Sequence, residues 1–180
     1  MERSWLKYPL LLFALGVILK LVVHLYGLQY QGLDYLSKLA LPLFLILSVF
    51  LAMWEERSLQ KGFIDKVKTG MKAGMVFAVL ISGFSYVYYG TLDPDYFKMR
   101  NERLVRALKK EKEKAGKDPE KRDPMPDKSV KEYRKDLRSS TTPFRVSTLN
   151  MLFFTFLSIL ASLMIGTVEW LLLKRGKARN

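Results

Sequence analysis

Apolar positions along this chain gather into four long runs, and charged positions gather into the segments between them. The runs are YPLLLFALGVILKLVVHLYGL from Tyr8 to Leu28, LSKLALPLFLILSVFLAMW from about Leu36 to Trp54, GMKAGMVFAVLISGFSYVYY from about Gly70 to Tyr89, and LNMLFFTFLSILASLMIGTVEWLLL from about Leu149 to Leu173. Each is close to the roughly 20 residues that an α-helix needs to cover a bilayer core. A globular domain would instead mix apolar and polar residues at helical or strand period. The pattern predicts an all-α, polytopic membrane protein with four transmembrane helices. Arg3 and Lys7 precede the first run as they would in a signal peptide, but no small-residue cleavage site follows and apolar character continues past Lys20, so this span is expected to be retained.

The intervening segments predict smaller elements. At 58–69, Phe63, Ile64 and Val67 alternate with Lys61, Lys66 and Lys68, the pattern of a brief helix lying in the headgroup region. Pro42 is expected near the start of the second helix, where a missing backbone donor does least damage. The third span ends in Tyr86, Tyr88 and Tyr89, an aromatic belt at an interface. From 90 to 148 the chain carries 17 basic and 11 acidic side chains. Its first half favours helix, with Phe97, Leu104 and Leu108 on one face. Pro119, Pro124 and Pro126 break that helix, and a second short one is expected from Lys128 to Leu137. The expected product is a charged helical hairpin between the third and fourth spans, and a basic tail follows at 174–180.

Composition changes this picture little. The 49% hydrophobic and 26% charged fractions average to a soluble profile only because they pool spans with loops. The net charge of +13 fits loops that stay near anionic headgroups, and no base-reading or stacking motif accompanies it, so membrane lipids rather than nucleic acid are the expected partners. The absence of cysteine excludes disulfides, thiolate metal sites, iron–sulfur ligation and a cysteine nucleophile. With His24 the only histidine, no metal and no cofactor is expected. Basic residues in the short segments set an orientation: Arg3 and Lys7 before the first span, Arg57 to Lys72 between the second and third, and Lys174 to Arg179 at the end, against Lys38 alone in the first loop. This predicts cytoplasmic N- and C-termini, with the long basic 90–148 segment dissenting.

Polar groups inside the spans are the candidate site. Lys20 lies about 18 Å into the first span, where a lysine costs on the order of 2.5–3.5 kcal/mol. His24, four residues on, shares its face. Glu169 is the one carboxylate inside an apolar run, but its depth near the opposite end separates it from Lys20. The groups at the level of Lys20 are Ser82, Ser85 and Tyr86, with Asp93 and Asp95 just outside, so the expected polar cluster is Lys20, His24, Tyr86, Asp93 and Asp95. Two small-residue stripes predict close helix packing, within the chain or between copies: Gly70, Gly74, Ala78 and Ser82 on the third helix, and Ser158, Ser162 and Gly166 on the fourth.

The stretch KGFIDKVKTGMKAGMVFAVLISGFSYVYYGTLDPDYF resembles the middle of a bacterial membrane family, the domain of unknown function family 4199 (DUF4199). The features that carry the resemblance are Lys68, Gly70 and Gly74 at the start of the third helix, the aromatic run Tyr86 to Tyr89, and the step Asp93, Pro94, Asp95. The resemblance extends over nearly the whole chain and implies four spans in a bacterial inner membrane, with no established activity or ligand. The basic connection from Lys98 to Arg145 looks larger and more charged than the family's usual pattern.

The expected function is that of a noncatalytic accessory or scaffold subunit of a larger inner-membrane assembly, contacting other membrane proteins or its own copies. Small-residue seams, a charged helical loop and no recognisable catalytic set point that way. Two alternatives stay open: a small oligomeric transporter or channel lined by Lys20 and His24, and a lipid-binding or lipid-sensing protein using its basic middle loop. Dispersed carboxylates and the lack of glycine-rich phosphate loops argue against an enzyme.

Overall fold

The computed structural model describes residues 4–28, 34–56, 62–117 and 129–177, and every regular element among them is helical. The helices are α1 (Ser4–Leu25), α2 (Asp34–Glu55), α3 (Phe63–Val87) running into a π-helical turn (Tyr88–Leu92), α4 (Tyr96–Lys117), α5 (Val130–Ser140) and α6 (Pro143–Lys177). Arg3, the start of the expected interfacial segment at 58–61, the three loop prolines and the final tail residues at 178–180 lie outside the described residues.

Four helical stretches are long and apolar enough to cross a membrane: Trp5–Leu25, Lys38–Glu55, Phe63–Leu92 and Pro143–Leu172. The protein is thus an all-α, multi-pass membrane protein. Large apolar side chains such as Leu43, Val79, Leu152 and Met164 stay exposed on these helices, the arrangement that suits a lipid surround.

Helix ends depart from the hydropathy boundaries for local reasons. α1 stops at Leu25 rather than Leu28 because Gly27 takes φ +62°, a left-handed conformation free of Cβ conflict, and donates its N–H to the His24 carbonyl at 2.9 Å. α2 begins at Asp34, which puts Pro42 two turns inside the helix rather than near its start. Membrane helices tolerate this because neighbours and local adjustment compensate for the absent donor. α6 begins at Pro143, earlier than the expected 149: the Thr142 hydroxyl accepts from the Arg145 N–H at 3.2 Å, and Pro143 occupies the first turn, where its lack of an N–H does no harm.

The expected separate interfacial helix is a further correction over the part described. Phe63 to Thr69 form the first turns of α3 itself. Their exposure also reverses the expected pattern, since Ile64 is 65% exposed while Lys66 is 8% exposed. A buried partner for Lys66 explains the inversion.

The chain divides into two compact units, Met1–Phe84 with Leu149–Asn180, and Ser85–Thr148. The first has a core of Leu12, Leu45, Val49, Met53, Phe77 and Ile81, with Phe154 of α6 edge-on to Phe77 at 6.2 Å. The second opens with the π-turn, where the Asp93 N–H reaches the Tyr88 carbonyl at 2.9 Å. Tyr89 stacks there against Tyr96 and Phe97 at 5.0 and 4.7 Å. The buried face of α4 runs Phe97, Asn101, Val105, Leu108, and Leu104 stands off it at 37% exposure. Asn101 is accepted in that apolar stripe because its amide nitrogen donates to the Thr141 hydroxyl at 2.7 Å, which joins the start of α4 to the end of α5 and makes the pair antiparallel. α5 itself starts at a reciprocal cap: the Glu132 N–H donates to Ser129 Oγ at 3.2 Å and the Ser129 N–H to Glu132 Oε2 at 2.8 Å.

Candidate functional site

The first unit carries a buried polar cluster where the end of α2, the start of α3 and the far part of α6 meet. Lys66 Nζ lies 3.6 Å from Glu169 Oε2, both side chains largely enclosed. One turn along α3, Thr69 Oγ1 donates to Glu56 Oε2 at 2.8 Å. Lys66 and Thr69, three residues apart, present these groups on one helical face. Ionised groups removed from water persist only when paired and hydrogen-bonded, and inside a membrane bundle they mark functional positions by default.

Reasoning from the sequence missed Lys66, Thr69 and Glu56 as site residues. The usable signal was the depth of Glu169, which excludes Lys20 as its partner and, in an antiparallel helix, selects a cation near the opposite terminus. Lys66 occupies that level. Its burial also removes it from the headgroup-facing role expected of the basic middle loop.

The five residues expected to form one embedded cluster are divided between the two units, Lys20 and His24 in the first and Tyr86, Asp93 and Asp95 in the second. Lys20 is buried at 6% exposure and His24 is half-buried, both in the first unit. Asp93 is buried in the second unit at 4% exposure, and its carbonyl accepts the Tyr96 N–H at 3.2 Å, so its backbone starts α4. Tyr86 is 52% exposed and Asp95 is exposed. Asp93 and Asp95 follow the π-turn Tyr88–Leu92, which shifts the helical phase, so even helical spacing from α3 does not place their side chains.

The small-residue stripes face each other within the chain. A Cβ built on Gly70 would lie 2.8 Å from Ser162 Oγ, and one on Gly74 would overlap the Ser158 side chain. Gly166 lies against Val67 and Phe63, where a Cβ would stand 2.8 and 3.2 Å from them. Ser158 Oγ donates to the Met71 carbonyl at 3.4 Å. Ala78 and Ser82 are buried farther along α3. α3 and α6 therefore pack antiparallel at close range along this seam.

With that geometry in place, comparison with known proteins adds one match. A family model described as "Protein of unknown function (DUF4199)" matches residues 7–168. The chain belongs to the DUF4199 family. No curated protein and no solved structure matches it. The DUF4199 match takes in Glu56, Lys66, Thr69 and both stripes, and ends one residue before Glu169.

The second unit of this DUF4199 protein holds a groove between α4 and α5. Lys98, Asn101 and Glu102 line it from α4, and Arg134, Arg138 and Thr141 line it from α5. Glu102 is engaged with Arg106 at 3.8 Å on the exposed face of α4. Lys98, Arg134 and Arg138 form no ion pair among the described residues. With three cationic side chains against the one carboxylate of Glu102 among its lining residues, the groove carries an excess of positive charge.

Proposed function

We propose that this protein is a noncatalytic accessory or scaffold subunit of a larger bacterial inner-membrane assembly, held in the bilayer by its four spans and joined to a partner through α5. The observation that carries this reading is that α5 has no buried residue yet is capped at both ends. Such a charged helix contributes little core, and its ordered outward face suits recognition of an acidic protein surface. The seam of α3 is already occupied by α6, which leaves α5 as the better candidate for the contact.

In this reading both termini are cytoplasmic and the α4–α5 pair is on the other side, as the basic residues of the short segments favour. The test is affinity purification in native lipid. A distinct membrane protein should copurify with the wild type and be lost when Lys131→Glu and Lys135→Glu reverse charge on one exposed face of α5. Recovery of the chain alone, or retention of the partner by the folded variant, would count against it.

A small transporter is the second reading, favoured by the buried Lys66–Glu169 pair. Ion flux in proteoliposomes that is abolished by Glu169→Gln in a folded protein would replace the scaffold reading with this one.

A further inference from the structure

We propose that the α4–α5 groove seats the phosphodiester of an anionic, glycerol-bearing membrane phospholipid. Three observations converge on that chemistry. Lys98, Arg134 and Arg138 form no ion pair among the described residues and outnumber Glu102, the one carboxylate lining the groove and itself paired with Arg106. An excess of cations gathered this way favours an anion that guanidinium forks can grip. Asn101, which also lines the groove, commits its amide nitrogen to Thr141 while its buried Oδ1 accepts no hydrogen bond within the protein. The direction of that amide is settled by its neighbours: the Thr141 hydroxyl already donates to the Leu137 carbonyl at 2.6 Å, so it can only accept from Asn101. Oδ1 thus remains an acceptor, and a headgroup hydroxyl is a donor that matches it.

The third observation identifies a lipid as the source of the phosphate. Phe97, on the groove wall, follows the last residue of the third span, Leu92, by only five positions, and Thr141 precedes the first residue of the fourth, Pro143, by two. Those tethers, at no more than about 3.6 Å per residue, hold the groove within reach of the headgroup layer. Leu92, Met99 and Phe144 of the same unit are exposed apolar side chains that an acyl chain could cover. The assignment stands apart from the scaffold reading, because its residues are Lys98, Arg134 and Arg138 and not Lys131 and Lys135.

Full-length protein, delipidated in detergent, is titrated with short-chain phosphatidylglycerol, short-chain phosphatidylcholine and inorganic phosphate, with binding read by native mass spectrometry. Phosphatidylglycerol should bind saturably at one per chain, and Arg134→Ala with Arg138→Ala should weaken it by about tenfold or more. Lys131→Ala with Lys135→Ala removes the same charge from α5 outside the groove and should change binding by less than about twofold. Lys98→Gln, on the other wall, should reproduce part of the loss with α5 untouched, and circular dichroism verifies the fold of each variant. Equal losses from both α5 pairs would reduce the effect to general electrostatics and overturn the site. Phosphatidylcholine binding as tightly as phosphatidylglycerol, or inorganic phosphate displacing the lipid at equal concentration, would overturn the lipid assignment.

Discussion

Replacing Gly74 by alanine tests the α3–α6 seam directly. The new methyl would overlap the Ser158 side chain and would also stand 3.2 Å from Val49 Cγ2, so it is confined on two sides. Part of the overlap is with the Ser158 Cβ, which no rotamer change can move, and Ser158 is fully buried. The backbone of α6 must therefore shift, and overpacking of this kind costs about 1–3 kcal/mol. Alanine is also a better helix former than glycine, by about 1 kcal/mol, which opposes the loss. Gly83 in the same helix separates the two effects, because a Cβ there meets nothing within 4 Å. Gly83→Ala should be neutral or stabilising by up to about 1 kcal/mol, and Gly74→Ala should be less stable than Gly83→Ala by about 1–3 kcal/mol. Adding Ser158→Gly to Gly74→Ala should recover more than about 0.5 kcal/mol of the difference, a coupling expected only of groups in contact. The assay is denaturation by SDS in mixed micelles, followed by the fluorescence of Trp5, Trp54 and Trp170, all in the first unit. Equal stability of Gly74→Ala and Gly83→Ala, or no recovery in the double variant, would refute the seam.

Glu169→Gln leaves Lys66 buried without its counter-ion and should destabilise by about 3 kcal/mol in the same assay, whereas Lys66→Met combined with Glu169→Leu should recover most of that loss. Thr69→Val removes the donor to Glu56 and should cost about 1–2 kcal/mol; a neutral result would show that this bond contributes nothing. Ser129→Ala breaks the reciprocal cap of α5 and should cost about 1 kcal/mol, seen as faster amide exchange in α5 with the spans unchanged. The absence of native cysteine makes orientation readable by single substitutions: Ser139→Cys should react with an impermeant maleimide from outside the inner membrane and Lys68→Cys only after lysis, and the opposite result would reverse the proposed orientation.

The four spans, the charged helix pair and family membership were legible in the residue order, because each depends on local properties. A membrane helix satisfies its backbone within its own segment, so a run of about 20 apolar residues is enough to define it. The glycine and serine stripes were legible for the same reason, being periodic on single helices. That they meet each other, Gly74 on Ser158 and Gly70 on Ser162, was decided by the tertiary structure, since a stripe alone does not name its partner. Partnership of the polar groups was decided there as well. Glu169 revealed its depth in the sequence, but pairing with Lys66 depends on the rotation of two helices far apart in the chain. Asp95, exposed, and Asp93, buried, likewise lie beyond a π-turn that changes the helical phase by a fraction of a turn, a difference that residue spacing does not record.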